Sequence, residues 1–156
     1  MAAKSEAIPR PRAESAHALA RVLADTYLLY GKTHNFHWNV EGPAFPSLHR
    51  LFEEQYRALW SSVDELAERI RALGPHAPGT YAKIKALAAI KETEEIPDSD
   101  AMLEALLADH ETLVHTVRAA LGTAQAAGDE VTADLLTDRL SYHEKQIWMI
   151  RSTLAA

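Results

Sequence analysis

The chain contains no cysteine. Disulfides and thiolate metal sites are therefore excluded, and the composition suits a reducing, cytoplasmic compartment. Glycine and proline are scarce, six and seven among 156 residues, so long stretches run free of breakers. Alternating tracts of β-branched residues are missing, and no sheet is expected. No apolar run reaches the ~20 residues that a bilayer crossing needs. The most apolar early stretch, Ala18 to Tyr30, is interrupted by Arg21 and Asp25. The opening MAAKSEAIPRPRAE has no apolar segment of the kind a secretory signal carries. Basic residues are outnumbered, for a formal net charge of -6. An acidic surface argues against DNA binding by the whole body but concentrates cations.

What is present favours helix. Apolar residues make up 47% of the chain, enough for one core in one domain. Alanine, leucine, glutamate and arginine dominate, and their side chains lose little rotamer freedom on a helix. Residues 1–13 read as a flexible tail and residues 14–156 as one bundle domain. A first helix is expected from about Glu14 to Asn39, with a stripe of Leu19, Val22, Leu23, Thr26, Tyr27 and Tyr30 that continues to His34 and His37. Gly42-Pro43 ends it. Ser47 is the expected N-cap of a second helix, which runs to Leu73 before the Gly74-Pro75 stop. Within the connection 74–98, Tyr81 to Lys91 reads as a shorter helix with Ile84, Leu87 and Ile90 facing inward. A third long helix starts at Pro97-Asp98-Ser99 and ends near Ala127-Gly128. Asp129 caps a fourth, whose stripe is Leu136, Leu140, His143, Ile147, Ile150 and Leu154. Four helices of matched length predict a bundle. Short first and third connections make antiparallel neighbours, and the long middle one lets the third helix run parallel to the second. The fold class is all-α, with the one-crossover topology of ferritin-like bundles and a short extra helix in the crossover.

The chemistry concentrates between His34 and Glu68. On the second helix His49, Glu53, Asp64 and Glu68 fall within an arc of roughly 100°. Each alone reads as a solvated residue. The set does not, because Leu48, Leu51, Phe52, Leu59, Val63, Leu66 and Ile70 cover most of the remaining circumference. His49 and Asp64 lie ~22 Å apart along one helix, so they cannot bind one ion within one chain. Antiparallel pairing with a second copy, about a two-fold axis near Tyr56-Arg57, brings His49 of one subunit beside Asp64 and Glu68 of the other. The spacing predicts two identical metal sites at a dimer interface. The paired Glu-x-x-His motifs of an in-bundle di-iron centre are absent. The one example, Glu14 to His17, reads as coincidence.

The run His34-Asn35-Phe36-His37-Trp38-Asn39-Val40-Glu41-Gly42-Pro43, followed by Phe45, Leu48-His49, Phe52-Glu53 and Val63-Asp64-Glu65-Leu66-Ala67-Glu68-Arg69, resembles the Dps family, the DNA-binding proteins from starved cells or mini-ferritins. Thr132 to Thr137 and Trp148 fit the same pattern, so the resemblance covers nearly all of the chain apart from the tail. It implies a hollow homo-oligomer of twelve subunits that oxidises and stores iron. One subunit supplies His37 and His49 and its neighbour supplies Asp64 and Glu68, with two iron ions expected per inter-subunit site. Glu53 matches a position where the family often has a carboxylate near the second iron. Hydrogen peroxide, or O2, is the implied oxidant of Fe2+.

The remaining residues divide between plain and functional readings. Trp38 is either ordinary packing or, by resemblance, an oxidisable side chain near iron. His34 reads as a core or interface residue ahead of an auxiliary ligand. His110, His115 and His143 stand alone on helices and read as structural. Asp129 and Glu130 are explained by capping and the helix dipole. Asp134 and Asp138 lie further along, where related shells have three-fold pores, and Asp134 is a candidate for drawing Fe2+ inward. Lys4, Arg10 and Arg12 in the tail leave an alternative, a DNA-binding and compacting shell with little iron oxidation, in which case the protein would associate with the nucleoid. A purely structural bundle gives His37, His49, Asp64 and Glu68 no reason to meet.

Overall fold

The computed structural model describes residues 7–155. Its elements are α1 (Arg10–Asn39), α2 (Phe45–Leu73), α3 (Tyr81–Leu87), α4 (Ser99–Ala126) and α5 (Glu130–Leu154), with no strand among the described residues. The four long helices form a bundle and α3 rides on the crossover. Among the described residues, no helix is long and apolar enough to cross a membrane.

Cross-helix contacts fix the directions. Lys32 pairs with Asp109 and Asp25 bonds Thr116, so α1 is antiparallel to α4. Gln55 bonds Gln146 and Arg69 bonds Asp129, so α2 is antiparallel to α5. With α1 and α2 a short-loop hairpin, α2 and α4 run parallel. This is the one-crossover, ferritin-like topology expected from the connection lengths. Phe36, Phe52, Leu59, Leu66, Leu106, Leu113, Leu136 and Ile150 are among the fully buried residues between the helices. Within a helix they recur at seven or fourteen residues, two or four turns, which puts them on inward stripes.

Three boundaries differ from the sequence expectation. The expected tail falls partly outside the described residues, as does Lys4, and 10–13 already form the first turn of α1. Pro11 permits this, because a proline in the first turn lacks only an amide that would have no helical partner. Helix α2 begins at Phe45 with Ala44 as its cap and no side-chain cap bond. Ser47 is inside the helix and donates its hydroxyl to the Ala44 carbonyl. Helix α3 stops at Leu87 rather than Lys91. The buried Asp25 carboxylate accepts the next amides, Ala89 N–H at 2.7 Å and Ile90 N–H at 3.0 Å, together with the Thr116 hydroxyl at 2.7 Å. That acceptor ends the helix and ties the crossover to α1 and α4. Asp129 caps α5 as expected and Asp98 caps α4, each accepting an amide three residues on. Gly128, at φ 65°, takes the left-handed turn that joins those two helices.

Candidate metal centre

The last turn of α1 carries His37 and the first turns of α2 carry His49. The turn between them folds the two helices back on each other, so the rings meet face to face, centroids 3.8 Å apart and 17° from parallel. Each ring holds the other's backbone. His37 Nδ1 lies 2.8 Å from the His49 carbonyl, and His49 Nδ1 lies 2.8 Å from the His37 carbonyl. A carbonyl oxygen only accepts, so both Nδ1 atoms carry the proton. In a neutral ring the lone pair is then on Nε2, the arrangement that orients histidine for a metal. The bond from His49 also satisfies one of the final carbonyls of α1, which have no helical partner. His37 is buried and His49 half-buried.

Aromatic side chains wall the pair. Phe45 lies 5.0 Å from His49, and Tyr56 meets His37 edge-on at 5.1 Å. Tyr56 also stacks on His34 at 4.0 Å, and Trp38 lies 4.0 Å from the same His34 ring. Burial pushes the His34 imidazole below its ordinary pKa, with smaller effects from His37 and Arg57. Trp38 against His34, Phe45 against His49 and Trp60 against Tyr30 stay exposed at 64%, 41% and 55%, large apolar groups left on the surface of α1 and α2.

Glu53 lies one turn beyond His49 and is half-buried. Its Oε1 accepts two bonds from Arg57, from Nε at 3.0 Å and Nη2 at 2.7 Å. These bonds hold the Glu53 carboxyl below the usual carboxylate range against a smaller desolvation effect, with lesser help from His37 and His49. Asp64 and Glu68 lie about three and four turns further along α2, exposed and without an ion-pair or hydrogen-bond partner among the described residues. Among the described residues, no three His, Asp or Glu side chains converge within one chain. The structure therefore joins His37 to His49, brings Glu53 near them, and leaves Asp64 and Glu68 at the far end of the same helix.

Asp134 and Asp138 are exposed on α5 and meet none of these residues. Asp129 is spent on structure. Burial raises its carboxyl, but bonds from Thr132 and Arg69 together outweigh that and hold it low. His110 and His143, read as solitary, in fact meet in the core with their Nδ1 atoms 2.9 Å apart. His115 is exposed. Sequence reasoning missed Tyr56 and Arg57 as neighbours of the site. The i,i+4 spacing of Glu53 and Arg57 was the signal available for the latter.

A ferritin-like domain model matches residues 16–156. The chain is 37% identical to DNA protection during starvation protein 2 of Bacillus anthracis, over 87% of this chain and 93% of that one. It superposes on the crystal structure of a Dps protein from Bacillus brevis with a TM-score of 0.91 at 36% identity, covering 94% of this chain and 99% of that one. The Vibrio cholerae Dps protein, described as one of the ferritin-like diiron-carboxylate proteins, gives a TM-score of 0.92 at 31% identity, over 98% and 100% of the two chains. With the one-crossover bundle, the facing histidine pair and a likeness that spans nearly the whole chain, this protein belongs to the Dps family of ferritin-like proteins.

Proposed function

We propose that the protein is a mini-ferritin that oxidises Fe2+ at sites shared between two subunits and stores the ferric product inside a twelve-subunit shell. The observation that carries this reading is the mutual lock of His37 and His49, which uses Nδ1 of both stacked rings, leaves Nε2 of each without a hydrogen bond, and gathers no metal-binding group of carboxylates around them among the described residues. Such a half-site needs hard oxygen donors to suit iron. His49 with Glu68, and Glu53 with Asp64, are symmetric about one point on α2, between Ala58 and Leu59. A two-fold axis there, slightly further along than Tyr56-Arg57, faces each histidine end with a second copy's carboxylates. The exposed Trp38, Trp60 and Phe45 give that second copy an apolar surface to cover.

Within the site, His37 and His49 bind Fe2+ through nitrogen while Asp64 and Glu68 of the second subunit bind through oxygen. Glu53 borders a second iron. Two Fe2+ together give two electrons to one hydrogen peroxide. The O–O bond breaks, two protons are taken up, and two waters and two Fe3+ result. Delivering both electrons at once avoids a hydroxyl radical. Carboxylate oxygens favour the higher charge of Fe3+, which then moves to the acidic interior and mineralises. Asp134 serves as a pore residue that draws Fe2+ inward. DNA is protected because Fe2+ and peroxide are consumed together. Direct DNA binding is the weaker reading, since Arg10 is paired to Glu14 at 2.8 Å within α1.

The test is anaerobic Fe2+ loading of metal-free protein followed by peroxide, with ferric absorbance followed in time. Wild type is compared with a His37→Ala/His49→Ala variant whose assembly is confirmed by light scattering. Fast, saturable oxidation lost in the assembled variant supports the shared site. Equal rates in both would refute it and favour the DNA-compacting shell.

A further inference from the structure

We propose that Arg57 is a positioning residue that, by occupying one oxygen of Glu53, restricts this carboxylate to single-oxygen binding and keeps the second iron weakly held. The inference rests on the iron-oxidising reading above, in which Glu53 borders the second iron. Both Arg57 donors end on the same atom, Glu53 Oε1, at 3.0 and 2.7 Å. Oε2 has no hydrogen-bond partner among the described residues. The guanidinium is held from a second side by the Tyr56 ring, 5.6 Å from its centroid. Tyr56 in turn is fixed against His34 and His37. The Arg57 side chain is 67% exposed, but its contact with Tyr56 ties it to the aromatic ring that borders His34 and His37.

Two consequences follow for a metal arriving at Glu53. A carboxylate with one oxygen already taken by two charge-assisted bonds offers a single donor atom, Oε2. The guanidinium also stays charged at every working pH and repels an incoming cation. Each effect lowers the affinity of the second iron position, and each favours departure of the oxidised ion. Weak retention is what a site needs when its product must move on to a mineral core. The first position, built on the two histidine Nε2 atoms and the partner's carboxylates, does not depend on Glu53 Oε1 and is left unchanged.

The experiment is anaerobic titration calorimetry of assembled, metal-free shells with Fe2+, and with Co2+ as a redox-stable probe. The proteins are wild type, Arg57→Gln, Arg57→Lys, Glu53→Gln and Glu53→Gln/Arg57→Gln. Wild type is expected to show a tighter and a weaker ion per site. Arg57→Gln tightens the weaker ion about fivefold, the scale of losing one exposed ion pair, and leaves the tighter one within about twofold. Arg57→Lys, which keeps the charge but cannot place two donors on one oxygen, gives a smaller shift in the same direction and decides the matter if Arg57→Gln fails to assemble. In the Glu53→Gln background, Arg57→Gln has no further effect on the weaker ion. An unchanged or loosened second ion in the assembled variants overturns the proposal, as does a shift that persists without Glu53. A wild type that binds no metal at all overturns the iron-oxidising reading itself, a distinct result because no affinity of a second ion then exists to compare.

Discussion

Acid should destabilise this protein through two histidines that take no part in the proposed iron site. His110 of α4 and His143 of α5 are buried at 0% and 1% exposure. Their Nδ1 atoms share one hydrogen bond and neither Nε2 has a partner among the described residues. One ring donates from Nδ1 and the other accepts, so the bond is lost once both rings are protonated, and burial without a counter-charge disfavours even the first proton. Burial pushes His110 down to about 3 and His143 well below its ordinary value, the latter helped by its neighbours His110 and Arg139. The flanking polar groups supply no counter-charge. Arg139 is cationic, the Tyr142 phenol is pushed up by burial and stays neutral, and α2 offers the neutral Gln55. A depressed folded-state pKa means that the unfolded chain binds more protons below pH 6.5, so stability is full above that value and falls as pH falls. Between pH 7.5 and 4.5 the unfolded His110 drops two units below its pKa while the folded ring stays neutral, a loss of about 3 kcal/mol. His143 adds to it in the same direction. The perturbation is His110→Leu/His143→Leu, which removes both rings and fills similar volume. Urea unfolding of metal-free protein at fixed subunit concentration, from pH 7.5 to 4.5, gives the two stability curves. Carboxylates and His34 titrate in both proteins and cancel in the difference. The variant should gain about 3 kcal/mol or more on wild type across that range. Parallel curves would show that the buried pair does not set the acid limit.

Two further outcomes test the fold. Asp25→Ala removes the acceptor of the Ala89 and Ile90 amides and the Thr116 hydroxyl, and should cost about 3 kcal/mol. Hydrogen exchange should show those two amides losing protection first, with Asp25→Asn losing less; unchanged protection would mean the carboxylate is not what holds the crossover. Gly122, inside α4, has nothing within 4 Å of where a Cβ would stand, so Gly122→Ala should raise stability by about 1 kcal/mol through helix propensity alone. A lowered melting temperature in the assembled protein would place that face in a subunit contact.

The sequence by itself determined the elements that depend on neighbours along the chain. Apolar residues at three- and four-residue spacing, with breakers at Gly42-Pro43, Gly74-Pro75 and Gly128, define the long helices to within a few residues. The lengths of the connections define the crossover, because a short loop cannot carry α2 to a parallel neighbour. The stripe of His49, Glu53, Asp64 and Glu68 is legible because helical geometry turns spacing into direction. Other features depended on contacts between distant segments, and these only the tertiary structure decided. His37 and His49 exchange bonds because the α1–α2 turn superimposes their rings, which fixes the nitrogen each leaves free. Helix α3 ends where Asp25, 64 residues earlier than Ala89, captures its amides. His110 and His143 become a pair because α4 and α5 pack antiparallel with those two positions in register. A hydrogen bond needs its partners within about 3 Å, and periodicity gives the face a residue occupies but not what stands opposite it.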